Sequence, residues 1–140
     1  MRKIKKFFGV VFAMAMSMSM SMVVLAAGSS DQKTVPGYGT LSGSISAGGT
    51  YGNYQISAPT NVTTNPDNAY IRVKITIEDI YGTELDSDHK DSARGVTSYP
   101  GPFPVVNFDD VHAIYAAHNI QGGRTYEAQV VYTVTTTIPD

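Results

Sequence analysis

The sequence predicts an all-β protein: a small antiparallel β-sandwich of about six to eight strands, with two Gly-Gly hairpins, behind a signal peptide. Three observations predict it. Apolar residues recur at every second position along much of residues 39–140, which is the period of a strand with one covered face. No segment there spaces them at the 3.6-residue period of an amphipathic helix. Gly48-Gly49 and Gly122-Gly123 each separate two such runs, and glycine supplies the positive φ that tight hairpin turns demand.

The chain of 140 residues begins with four cationic side chains, Arg2, Lys3, Lys5 and Lys6. An apolar run over residues 7–25 follows and closes on Ala26-Ala27. A charged start, an apolar middle and a small-residue end make residues 1–27 a secretory signal peptide, with cleavage expected after Ala26 or Ala27. No cysteine follows to carry a lipid, and no second long apolar run follows to span a bilayer. The expected location is therefore extracellular, with no membrane contact after cleavage.

Residues 28–38 are polar and rich in Gly, Ser and Pro, so they read as a flexible N-terminal segment ahead of a domain at 39–140. Leu41, Gly43, Ile45 and Ala47 then alternate with Ser42, Ser44 and Ser46, and residues 50–58 return with Tyr54, Ile56 and Ala58 on one face. Residues 59–68 read as a turn; they include Asn61-Val62-Thr63, a short glycosylation pattern of low specificity. The clearest strand covers 68–80, where Ala69, Ile71, Val73, Ile75 and Ile77 oppose Tyr70, Arg72, Lys74, Thr76 and Glu78.

Residues 81–110 have little pattern. A structureless loop of that length does not suit a compact domain, so short strands are expected near 93–97 and 105–108. Residues 111–120 are apolar on both faces, which suits a central strand covered on both sides. A last strand over 125–138 sets Tyr126, Ala128, Val130, Tyr132 and Val134 against Thr125, Glu127, Gln129, Thr133 and Thr135.

Composition excludes several chemistries. There is no cysteine, and all six methionines lie in the first 22 residues. Disulfide scaffolds, thiolate zinc sites, cysteine nucleophiles and haem ligation by Cys or Met are thereby removed. Of the ten Lys and Arg, four belong to the leader; the six that remain face twelve Asp and Glu, a net charge of −6. Such a domain lacks the cationic surface that nucleic acid requires.

The candidate sites are few. His112 and His118, if on one strand, lie about 20 Å apart and cannot share a metal ion. Asp86 and Asp88, with Glu84 and Asp91, place carboxylates at spacings that a calcium loop uses, although the glycine and flanking helices of an EF-hand are missing. No serine sits in a nucleophile-elbow pattern, and Asp109-Asp110 would face opposite ways on a strand. Tyrosine is the most suggestive residue, with nine against Phe103 and Phe108 after the leader. Its ring and polar tip suit wet contact surfaces, and Tyr70, Tyr99 and Phe103 are the ligand-binding candidates.

The expected function is a secreted, non-catalytic β-sandwich module that binds an extracellular protein or surface polymer, with no cofactor and with self-association open. The alternatives are a bacteriocin-like antagonistic factor and an extracellular hydrolase without a recognisable motif.

Overall fold

A strand with one apolar face needs hydrogen-bonded neighbours and a second layer to cover that face. The computed structural model, which describes residues 29–50, 52–104, 107 and 110–136, supplies both. The leader lies outside the described residues, as does the strand expected over 105–108 except for Asn107. Among the described residues there are no helices and nine strands: β1 (Ser29–Val35), β2 (Gly39–Thr50), β3 (Asn53–Ser57), β4 (Thr60–Val62), β5 (Tyr70–Glu78), β6 (Glu84–Asp91), β7 (Ser98–Tyr99), β8 (Ala113–Gln121) and β9 (Gln129–Thr136).

They form two antiparallel sheets. The first runs β1-β2-β4-β7, with β3 also paired to β2. The second runs β6-β5-β8-β9. Strands β3 and β4 keep one register against β2, from Ser46↔Ser57 to Gly43↔Thr60, so they are one strand interrupted at Pro59. Proline has no N–H to give the ladder. Its carbonyl still accepts from the Ser44 N–H at 3.1 Å, which holds the register across the break.

The inner faces of both sheets share one core. Leu41, Ile45 and Ala47 of β2, with Ile56 of β3, meet Ile71, Val73, Ile75 and Ile77 of β5 and Ile114, Ala116 and Ile120 of β8. Tyr38 and Tyr54 are fully buried beside them. Ser29 joins the sheets at one side, because its hydroxyl donates to the Val134 carbonyl at 2.8 Å and accepts the Val134 N–H at 2.7 Å.

Several sequence expectations need correction. Residues 28–38 were expected to be flexible, yet Ser29–Val35 is strand β1, paired along its length with β2. Its side chains are mostly exposed, so backbone pairing holds it and alternation gives no signal. The turn of residues 59–68 contains β4. Within 81–110, residues 93–97 are not a strand; the charged run became β6, and further on the described residues pair at Ser98–Tyr99 and at a single Ser57–Pro102 bridge.

Neither glycine pair is the tight turn expected of it. The first hairpin turns by way of Gly52, with φ +88°, and Gly48-Gly49 lie inside the ladder opposite Gln55 and Tyr54. Gly122-Gly123 open a longer connection, residues 122–128, before β9. Strand β8 is central, between β5 and β9, but one-sided: Ile114, Ala116, His118 and Ile120 are buried, whereas Tyr115 is exposed.

Candidate functional site

The polar groups inside the core come first, because they decide which side chains are left for chemistry. His118 is fully buried on β8. Its Nδ1 lies 2.7 Å from Thr60 Oγ1 of β4, and its Nε2 lies 2.7 Å from Thr133 Oγ1 of β9. The Thr60 hydroxyl also donates to the Ala58 carbonyl at 3.3 Å. A hydroxyl has one proton, so the donors fall in sequence: His118 Nδ1–H to Thr60, and the Thr133 hydroxyl to Nε2. Burial disfavours the imidazolium and lowers the His118 pKa to about 4, the charge of Asp31 opposing this weakly. The ring is a neutral cross-sheet strut with both nitrogens committed. Gly43 of β2 makes room for it, since a Cβ there would overlap the imidazole.

A buried carboxylate shapes the connection before β9. Asp67 accepts the Thr125 N–H at 2.8 Å, the Tyr126 N–H at 2.9 Å and the Tyr38 hydroxyl at 3.2 Å. The Tyr126 N–H does most to hold this carboxyl below the usual carboxylate range, against the cost of burial. Burial, with Asp67 beside it, pushes the Tyr38 phenol up to about 12. The Tyr38 and Tyr126 rings meet edge to face with centroids 5.7 Å apart. These bonds hold residues 125 and 126 in the connection and out of the ladder, which explains why the expected strand starts late.

The three contact residues expected from sequence are not brought together. Tyr70 is half-buried on the outer face of the second sheet, where the Arg94 and Arg72 guanidinium carbons lie 5.2 Å and 5.8 Å from its ring centroid. Arg72 is itself bidentate to Asp91, at 2.7 Å and 2.9 Å. Arg94 donates to the Gly122 carbonyl at 2.7 Å and to the Asn68 carbonyl at 3.1 Å, so the stack ties three segments together. Tyr99 packs half-buried against the core. Phe103 was expected at the surface, but it is only 5% exposed and belongs to the core, with Lys90 Nζ 5.9 Å from its ring centroid.

The calcium candidates take strand geometry. Glu84, Asp86 and Asp88 are strung along β6, and Asp91 pairs with Arg72. Asp86 Oδ1 accepts the Ser87 N–H, and Asp88 Oδ1 accepts the His89 N–H, each at 2.8 Å. Among the described residues no three His, Asp or Glu side chains gather as a metal-holding group.

Sequence reasoning missed the exposed tyrosines. Tyr132 is 67% exposed and Tyr115 43%. The register sets Tyr132 opposite Ala117 and Val134 opposite Tyr115, so the two tyrosines are diagonal neighbours on one outer face. From β6 to β9 one row reads His89, Lys74, Ala117, Tyr132, and the next Ser87, Thr76, Tyr115, Val134. The face passes from charged to apolar. Alternation along 129–136 concealed this, because the inward set is Val131, Thr133 and Thr135 while Tyr132 faces solvent. The one available signal was His118, whose place inside requires a hydroxyl partner.

Compared with protein-family models, with curated proteins and with solved structures, the chain matches none.

Proposed function

We propose that the protein is a secreted, non-catalytic contact module of β-sandwich form. It engages an extracellular protein or surface polymer through the outer face of β8 and β9. The observation that carries this reading is the exposure of Tyr115 and Tyr132, diagonal on one face and flanked by Ala117, Val130 and Val134. Tyrosine is enriched at contact surfaces because it buries a large ring while its hydroxyl stays solvated or bonded. A non-catalytic role is supported by the commitment of His118, whose nitrogens are both bonded inside the core. The leader's charge pattern supports export.

Sedimentation with intact cells and isolated envelopes of the producing organism tests this. The purified protein is expected to be retained, and Tyr115→Ser with Tyr132→Ser to cut retention about tenfold, equivalent to about 1.4 kcal/mol. Equal retention of the wild type and the double variant would move the contact elsewhere.

A further inference from the structure

We propose that the outer face of the first sheet holds a separate binding groove for a neutral oligosaccharide. A groove of about 400 Å³ crosses this face. One wall is the row Ser30, Ser44 and Pro59; the other is Gln32, Ser42 and Asn61. The Asp31–Gly43 row forms the floor between them. Residues two apart on a strand are separated by about 6.6 Å, so the two walls leave a narrow trough across the strands. The volume is within the range of about 300–1,000 Å³ found for small-molecule sites.

The chemistry of the walls selects the ligand. Ser30, Ser42 and Ser44 offer hydroxyls that donate and accept, and Gln32 and Asn61 offer amides that do both at once. Among the described residues, none of these five side chains makes a hydrogen bond to the protein. They face a ligand that presents many paired donors and acceptors, which is the character of a sugar chain. Among the described residues no lysine or arginine lines the groove, so nothing there favours a phosphate or sulfate. It also lacks the aromatic or arginine anchors of protein interfaces, where serine is depleted. Pro59 supplies an apolar ring against which a sugar face can rest. The opposite sheet carries the tyrosine face, so this groove is independent of the contact proposed above.

The purified protein, labelled with ¹⁵N, is titrated separately with cellohexaose, maltohexaose and chitohexaose, and with dextran sulfate as the polyanion. Amide shifts centred on residues 30–32, 42–44 and 61 are expected with at least one neutral hexaose. Gln32→Ala with Asn61→Ala should weaken that binding about fivefold or more while the spectrum stays dispersed. Tyr115→Ser with Tyr132→Ser should leave it unchanged, which separates this outcome from the cell-retention result. Silence at the groove with all three sugars, equal shifts with dextran sulfate, or undiminished binding by the groove variant would overturn the proposal.

Discussion

His118 shows what one buried polar side chain asks of its neighbours. Its ring needs a hydroxyl on each side and a residue without a Cβ above it, and Thr60, Thr133 and Gly43 meet those needs from three other strands. An unpaired buried polar group costs about 1–3 kcal/mol, so each hydroxyl contributes by leaving nothing unsatisfied. The pH consequence has a definite sign. The folded pKa of about 4 lies below the ordinary 6.5, so between these values the unfolded chain binds the extra proton. Stability should be level above pH 6.5 and fall by roughly 3 kcal/mol in total as pH drops to about 4. Asp67 and Asp91, both with lowered pKa, add losses only below the ordinary carboxylate range. Urea unfolding at a series of pH values checks this, with His118→Gln expected to flatten the slope between pH 4 and 6.5. A wild-type protein equally stable at pH 4.5 and pH 7 would contradict the buried neutral imidazole.

At the scale of the element, edges decide what is exposed and what was readable. Strand β6 is an edge, and an open edge invites pairing with another chain. Asp86 and Asp88 turn back onto the N–H groups of Ser87 and His89 and bring negative charge to the same line. On the other side, Ser29 occupies the Val134 backbone of β9. The variant Asp86→Ala with Asp88→Ala is therefore expected to self-associate at concentrations where the wild type stays monodisperse, as read by sedimentation velocity. Identical profiles would show that the carboxylates do not guard the edge. The same reasoning explains what the sequence disclosed. Strand β5 was legible because four side chains, Ile71, Val73, Ile75 and Ile77, enter the core in strict alternation. Strands β1 and β6 were not, since backbone pairing holds an edge whose side chains are mainly solvated. The break at Pro59 made one strand look like a turn, and Asp67 drew residues 125 and 126 away from a ladder their alternation favours.

For the whole molecule, two sheets close over a single core without cysteine, and their outer faces differ in character. The first sheet presents hydroxyls and amides across β1, β2 and β4, with Ser98 of β7 continuing the row of Gln32, Ser42 and Asn61. The second passes from the paired charges of Arg72 and Asp91 to the tyrosines near β9. Of the candidate site, only the value of tyrosine as a residue type was legible in the sequence. That Tyr132 reaches solvent depended on Thr133 and Thr135 turning inward, a choice fixed by packing across the sheets.

The most direct test of that cross-sheet packing is a nuclear Overhauser spectrum of the His118 ring protons at neutral pH. Contacts to Gly43 on β2, Thr60 on β4 and Thr133 on β9 are expected together, since all three surround one imidazole. A ring that shows contacts only within its own sheet, and that titrates near the ordinary 6.5, would contradict the layered core.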